Sequence, residues 1–211
     1  MSYLLNIETS TTNCSVSLSF ENDLIDCIEK DSLNYSHSEN LYVFINELLN
    51  KNNTKFNKLS AISVSRGPGS YTGLRIGLSA AKGLCYGLDI PLISISSLKI
   101  LANSIKFDGF IVSTMDARRD EVYSCIYDSN LNVISEEKPE IINHESFIDV
   151  SKNNKLLFIG DGQFKCKELI NTNDNFSFES SILRPTSKNM IDLAFGKFKN
   201  GDFEDLAYFE P

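Results

Sequence analysis

The stretch SRGPGSYTGLRIGLSAAKGL, residues 65–84, follows an apolar run typical of a strand and continues into a helical pattern. Four glycines, Gly67, Gly69, Gly73 and Gly77, fall in its loop and in the first turns of the helix. A phosphate-binding loop has this composition, because its backbone N–H groups must approach oxygen atoms closely. Glycine also lets two backbones pack tightly, so the spacing has to separate these two interpretations.

The loop fits neither of the common phosphate-binding templates. The pattern G-x-x-x-x-G-K-[ST] needs a lysine after its second glycine, but Leu74 follows Gly73 and the next lysine is Lys82. The dinucleotide pattern G-x-G-x-x-G is missed by one residue. Pro68, between the first two glycines, has no N–H to donate. We therefore do not expect this loop to hold a phosphate directly.

The helix after the loop carries small residues along one face. Gly73, Gly77 and Ala80 recur at i, i+4 and i+7, and Leu84 continues the row. Glycine inside a helix costs up to ~1 kcal/mol relative to alanine, so a helix with several glycines should gain from some close contact. The pattern predicts that a second helix lies against this face.

Residues 37–51 supply a candidate for that second helix. Two adjoining apolar stripes run along it, formed by Leu41, Phe44 and Leu48 and by Tyr42, Ile45 and Leu49. This arc is wider than packing on one sheet requires. Either both stripes are buried within this chain, or the two helices together form a protein interface. On the second alternative, the interface is formed by Leu41, Tyr42, Ile45, Leu49, Gly73, Gly77, Ala80 and Leu84.

Composition narrows the classes of function. The 211 residues carry 20 Lys and Arg against 28 Asp and Glu, which gives a net charge of −8. Unaided, sequence-independent binding to nucleic acid is not expected, since that affinity comes from cations that neutralise phosphates. The N-terminus has neither a basic segment nor a long apolar one, so we expect a cytoplasmic protein that makes no membrane contact. Five cysteines without a C-x-x-C pair favour small buried side chains.

Strands and helices follow the same order in both halves of the chain. The first half reads as strands at 3–8, 14–20, 24–31, 59–65 and 90–95 and helices at 37–51, 71–87 and 96–105. The second half reads as strands at 109–117, 120–128, 130–142, 155–162 and 176–180 and helices at 144–152, 164–171 and 186–201. Such alternation requires sheets that are largely parallel, with antiparallel hairpins. We expect two actin-like (ASKHA, ribonuclease H-like) subdomains, each a mixed sheet with flanking helices. The N-terminal subdomain, 1–105, carries the interface, and the smaller C-terminal one is 106–211.

Four segments taken together resemble a known family. Residues 65–84 are preceded by LNIETST at 5–11 and HSENL at 37–41 and are followed by DARRDEVY at 116–123. This order resembles the TsaB (YeaZ) family, bacterial accessory proteins of tRNA threonylcarbamoyladenosine synthesis. The resemblance covers about residues 4–128, and beyond them only GDG at 160–162 and the order of elements support it.

The resemblance implies both a role and partners. TsaB looks like a degenerate paralogue of the catalytic subunit TsaD. It pairs with TsaD through the helices of the first subdomain of TsaB. TsaD transfers the threonylcarbamoyl group to the adenosine next to the tRNA anticodon, and the ATPase TsaE joins the pair. ATP and magnesium are then used by the complex, no cofactor is bound by this chain, and tRNA is reached through the complex. The isolated protein is expected to form a homodimer through the same face.

The residues also argue against catalysis by this chain. The catalytic relatives hold a metal with an H-x-x-x-H pair on the first helix, but here Leu41 stands four residues after His37. The other histidine, His144, belongs to a different element. Ser36 or Ser38, with Glu39, is expected to cap the helix. No G-x-S-x-G elbow is present, so we expect a pseudoenzyme.

Two carboxylates keep an enzymatic alternative open. Glu8 and Asp116 end the first strand of each half, where kinases and actin hold metal and phosphates, and Asp161 lies in a GDG turn. The alternative is a nucleotide-binding enzyme of the sugar-kinase and ATPase architecture that uses Glu8 and Asp116 with magnesium. Arg118 and Arg119 can instead pair with Asp116 in a structural ion pair, or contact RNA or an acidic partner.

Overall fold

Two five-stranded sheets make up the protein in the computed structural model, which describes residues 2–32 and 37–211. Contacts divide the chain into one unit of Met1–Ile100 with Pro185–Pro211 and a second of Leu101–Arg184. Each unit contains one of the sheets.

The first sheet combines a hairpin meander with parallel strands. Its elements are β1 (Tyr3–Glu8), β2 (Asn13–Phe20), β3 (Asp23–Asp31), α1 (His37–Lys51), β4 (Leu59–Ser65), α2 (Tyr71–Leu88), β5 (Leu92–Ile95) and α3 (Ser97–Ala102). The strand order is β3-β2-β1-β4-β5. β1 pairs antiparallel with β2 and parallel with β4. The strand pairing of the sheet therefore changes from antiparallel to parallel at β1.

Both helices of the predicted interface pack on one face of this sheet, α1 on β2 and α2 on β4. Leu41 and Leu48 on α1 and Leu78 on α2 join the core formed with Leu5 and Ile7 of β1. Full burial of one such leucine contributes roughly 1.5–3 kcal/mol relative to leaving it exposed. The apolar periodicity of the two helices is therefore used first for packing inside the unit.

The second sheet repeats the first. Its elements are β6 (Phe110–Asp116), β7 (Glu121–Tyr127), β8 (Val133–Ile141), α4 (Ile148–Ser151), β9 (Leu156–Ile159), α5 (Gln163–Leu169) and β10 (Phe176–Phe178). The order β10-β9-β6-β7-β8 is that of the first sheet, with β6 in the place of β1 and β9 in that of β4. The predicted fold class, two actin-like mixed sheets with flanking helices, is confirmed.

The predicted helix over 144–152 is largely wrong, because only α4 is helical there. Asn143 Oδ1 accepts the N–H of Glu145, and this local turn competes with helix formation. Phe147 then takes a left-handed backbone conformation at φ 65° and buries its ring edge-on against Phe158, 5.2 Å between centroids. Packing of this aromatic ring fixes the turn.

The last segment of the chain, Pro185–Pro211, lies in the first unit, so the prediction that 106–211 forms the second subdomain is wrong for this segment. It contains α6 (Ile191–Asn200). Met190 and Ala194 are fully buried against Leu4 and Ile93, on the face of the first sheet opposite to α1 and α2. Leu4 of β1, Ala61 of β4 and Ile93 of β5 contribute to an apolar surface on that face, and α6 covers it. The expected boundary near residue 105 falls at residue 100.

Two observations bear on the expectations from composition. The cysteines are free, and four of them are buried while Cys27 is half-buried, so their predicted packing as small core side chains is confirmed. Within residues 2–32 and 37–211, no helix has the length and apolar character needed to cross a bilayer.

Candidate functional site

Helices α1 and α2 lie side by side, and their ends explain where they begin and stop. Ser70 Oγ accepts the N–H of Gly73 at 3.2 Å and caps the start of α2. Asp89, in a left-handed conformation, ends it. Of the caps expected for α1, Ser36 lies outside the described residues, and Ser38 is already inside the helix.

The glycine face of α2 points into the protein. A Cβ added to Gly73 would overlap the carbonyl oxygen of Thr9, and one on Gly77 would overlap the Thr9 hydroxyl. Thr9 Oγ1 donates to the Gly73 carbonyl at 2.9 Å. The close approach that the glycines predict is present, but the approaching backbone is the turn after β1 and not a second helix.

Most of the predicted interface residues are buried within the first unit. Ile45 and Leu49 are in the core with Gly73 and Gly77 turned inward, and Leu84 is packed against that core. Among the others, Leu41 and Ala80 are buried at the floor of a groove, and Tyr42 is 51 % exposed. The prediction that these inward-facing residues contact a partner is therefore wrong. A side chain that is buried in the core of its own unit has no surface left for a partner.

An open groove of about 540 Å³ runs between α1 and α2. It is lined by His37, Ser38, Leu41, Tyr42, Tyr71, Thr72, Arg75, Ile76, Ser79 and Ala80. Its floor is apolar, and Tyr42 and Tyr71, which is 72 % exposed, stand at its rim. Sequence reasoning missed Tyr71, Arg75 and Ile76 because it followed the small residues of α2. A signal was present for Ile76 alone, since Thr72, Ile76 and Ser79 recur at helical spacing on another face.

Arg75 is the one lysine or arginine in this lining. Its guanidinium carbon lies 3.5 Å from the centre of the Tyr71 ring, and Nη1 donates to the Tyr71 carbonyl at 3.3 Å. Stacking on the ring and this hydrogen bond hold the cation at the rim of the groove.

His37 is buried, and one nitrogen of its ring is used for a hydrogen bond within the protein. Its ring is 1 % exposed, and Nε2 donates to the Thr11 carbonyl at 2.7 Å. Burial lowers the pKa of His37 below its ordinary value, so the ring is held neutral. In the part of the chain that the structure describes, no three His, Cys, Asp or Glu side chains come together as a possible metal site.

Glu8 is enclosed within the first unit. Its side chain is fully buried, Oε1 accepts the N–H of Ser10 at 2.6 Å, and no hydrogen-bond partner of Oε2 is found among the described residues. Burial raises the pKa of Glu8 to about 7, against smaller opposing effects of hydrogen bonds from Ser10 and Ser65. The carboxyl group is thus stabilised in its neutral form.

Asp116 is neutralised inside the second unit. Lys165 Nζ lies 2.9 Å from Asp116 Oδ1 and donates to the Glu121 carbonyl at 2.7 Å. Burial opposes ionisation of Asp116, but hydrogen bonds from Lys165 and from the N–H of Arg118 outweigh it and lower its pKa. The ion pair predicted for Arg118 or Arg119 is therefore made by Lys165, and Arg118 contributes only its backbone N–H.

These surroundings do not fit a magnesium-nucleotide site. Asp161, the third candidate, accepts the N–H of Asp116 at 2.9 Å, and burial raises its pKa. An ammonium group already occupies the place beside Asp116, and Glu8 is enclosed and favours its proton. Neither Glu8 nor Asp116 is therefore available as an unpaired, charged ligand for magnesium.

The repeated sheet order with helices on both faces defines the chain as a protein of the actin-like (ASKHA) class. The solved structure of YeaZ from Pseudomonas aeruginosa superposes with a TM-score of 0.88 at 24% identity, covering 100% of this chain and 99% of that one. At this identity the likeness establishes the fold.

The sequence comparisons identify the family. Residues 32–208 match the family model described as TsaD: tRNA N6-adenosine threonylcarbamoyltransferase. The tRNA threonylcarbamoyladenosine biosynthesis protein TsaB of Escherichia coli (strain K12) is 29% identical over 99% of this chain and 92% of its own length. That of Bacillus subtilis (strain 168) is 37% identical over 65% of this chain and 60% of its own length. The chain belongs to the TsaB (YeaZ) family, which confirms the resemblance drawn from residues 65–84 and their neighbours.

Proposed function

We propose that this chain is a non-catalytic accessory subunit of tRNA threonylcarbamoyladenosine biosynthesis, which binds and stabilises a TsaD-type catalytic paralogue. The observation that carries the proposal is the open groove between α1 and α2. TsaD transfers the threonylcarbamoyl group to the adenosine next to the anticodon, together with a TsaE-type ATPase. In this scheme ATP, magnesium and tRNA are handled by the complex and not by this chain alone.

The exposed surface of the two helices has the character of a binding face. Tyr42, Val43, Tyr71 and Tyr86 are all more than half exposed. Tyrosine and arginine are enriched among the residues that dominate protein–protein binding energies. A rim of tyrosines around an apolar floor therefore supports a protein partner for this groove.

An outward-facing glycine in α2 gives independent support. Gly83 is exposed, and a Cβ added to it would meet no described atom within 4 Å. Glycine here costs up to ~1 kcal/mol of helix stability relative to alanine, with no compensating contact seen in the described part of the chain. A partner backbone lying close to Gly83 would supply that compensation, as the Thr9 turn does for Gly73 and Gly77.

The family match supports a paralogue as the partner. The TsaD model covers residues 32–208 and therefore both helices of the face. A partner built on the same plan would present a corresponding pair of helices, and the two pairs could pack about a pseudo-two-fold axis. The homodimer expected for the isolated chain would use the same face.

The enzymatic alternative predicts a different result. A nucleotide-binding enzyme that uses Glu8 and Asp116 should bind ATP and magnesium without a partner. We expect no heat in calorimetry at high protein concentration, because Lys165 neutralises Asp116 and Glu8 is enclosed. Heat that is lost in Asp116→Asn would establish the alternative.

The central experiment replaces Gly83 with leucine. Light scattering after size exclusion should show a one-to-one complex of the wild type with the TsaD of the same organism. Gly83→Leu should weaken this complex at least about 10-fold, because a bulky side chain would hold the partner helix away. Leucine favours helix over glycine, so the variant should remain folded.

A matched control is Gly196→Leu, since Gly196 is an exposed glycine of α6 whose added Cβ also meets no described atom within 4 Å. It should bind TsaD like the wild type. Full binding by Gly83→Leu, or no complex with the wild type, would contradict the proposal. Gly77 is unsuitable for this test because a side chain there would overlap Thr9.

A further inference from the structure

We propose that Arg75 selects the partner: the groove takes a helix of the catalytic paralogue that carries a carboxylate beside an apolar anchor, and Arg75 binds that carboxylate. This inference rests on the proposed function and adds to it the chemistry that the groove recognises. Three observations carry it: the pose of Arg75, the lack of a counter-charge in the groove, and the apolar floor.

The pose of Arg75 leaves it prepared to bind an anion. The guanidinium is stacked over Tyr71 at 3.5 Å, and the one hydrogen bond seen for it in the described residues goes from Nη1 to the Tyr71 carbonyl. Arginine has five N–H donors in a planar fork, which matches a carboxylate through two parallel hydrogen bonds. Because the fork is already held, docking loses little side-chain entropy.

Arg75 has no carboxylate partner among residues 2–32 and 37–211, where the ion pairs involve other side chains. The described residues that line the groove include no Asp or Glu. Arg75 thus gives the groove a local positive charge, although the net charge of the whole chain is −8. Surface charges are screened beyond about 8–10 Å at physiological ionic strength, so a docked helix would respond mainly to the local cation.

The apolar floor makes a counter-charge necessary. Ile76, which is half-buried, and the exposed rings of Tyr42 and Tyr71 can gain burial only if an apolar side chain of the partner enters the groove, which would exclude water around Arg75. A cation that loses its water without gaining an anion raises the free energy of the complex. An apolar helix without a carboxylate is therefore penalised.

The same reasoning separates the paralogue from a second copy of this chain. In an isologous dimer the same patch faces itself, so the groove of one copy meets the groove of the other. In neither copy do the described lining residues offer a carboxylate to the arginine of the counterpart. Arg75 should therefore favour the heterodimer over the homodimer.

The test compares Arg75→Met and Arg75→Glu with a matched control, Arg66→Met, which removes an exposed arginine outside the groove lining. Dissociation constants are measured for the complex with the TsaD of the same organism and for self-association, at low and high salt. We expect Arg75→Met to weaken the heterodimer at least about 10-fold and to flatten its salt dependence, with Arg75→Glu weaker still. Self-association of Arg75→Met should be unchanged or tighter, and Arg66→Met should behave as the wild type.

The opposite pattern would overturn the inference. Binding of TsaD by Arg75→Met within about 2-fold of the wild type, or equal loss of both dimers, shows that Arg75 does not select the partner. If the wild type itself forms no complex with TsaD, the proposed function fails and this inference falls with it. Circular dichroism of each variant checks folding, and restored binding between Arg75→Glu and a TsaD variant with a helix carboxylate changed to arginine would identify the contact.

Discussion

Glu8 is a carboxyl group whose pKa burial raises from its ordinary value to about 7. It ends β1 directly below the turn formed by Thr9, Ser10 and Thr11. That turn accepts hydrogen bonds from Ser70 N–H, before α2, and from the His37 ring on α1. A buried carboxyl group thus lies under the point where both helices of the face are anchored.

The pKa of Glu8 predicts how stability depends on pH. The folded value is about 7 and the ordinary value 4.5, so between these pH values the folded protein keeps a proton that the unfolded chain has lost. Stability should therefore fall as pH rises from about 4.5 to 7 and level off above it. Glu8→Gln, a neutral isostere, should avoid this loss and gain up to ~3 kcal/mol relative to the wild type between pH 5 and pH 8. Urea denaturation at both pH values measures this difference, and parallel changes in the two proteins would refute it.

Two glycines of α2 should respond in opposite ways to the same substitution. Gly73→Ala places a Cβ against the Thr9 carbonyl and should destabilise the protein by about 1–3 kcal/mol. Gly83→Ala meets no described atom within 4 Å and should stabilise the helix by up to ~1 kcal/mol. Thermal unfolding of the two variants measures both signs. A stable Gly73→Ala would mean that the turn after β1 can move away from α2.

At the scale of elements, the strands and the two long helices were predictable because apolar periods of 2 and 3.6 hold along them. The length of α4 was not, since a local Asn143 turn and the packing of Phe147 decide it. The neighbour of Gly73 was not predictable either. Periodicity indicates that a backbone approaches, but it does not distinguish Thr9 of the same chain from a partner helix. The groove was found only in part, because Arg75 and Tyr71 belong to no apolar or small-residue stripe.

Whole-molecule topology places residues 185–211 with the first sheet. No local pattern reveals this, since the apolar face of α6 would suit either sheet. Its choice is made by the surface that β1 and β5 leave uncovered on the side opposite to α1 and α2.

Met190→Ala tests this assignment. The side chain is fully buried against the first sheet, so its truncation should cost about 2–5 kcal/mol. Hydrogen exchange should then quicken in β1 and β5 and remain slow in β6 and β9, because the lost contacts belong to the first unit. Faster exchange confined to β6 and β9 would place the segment with the second sheet instead.

The position of α6 also bears on synthesis of the protein on the ribosome. Residues 101–184 hold all strands of the second sheet in one continuous stretch, so this unit can close as soon as it has emerged. The first sheet emerges earlier but waits, with one apolar face uncovered, until residues 185–211 have been translated. The unit that starts first is therefore completed last, and the face formed by α1 and α2 rests on a finished sheet only after the second unit has already been made.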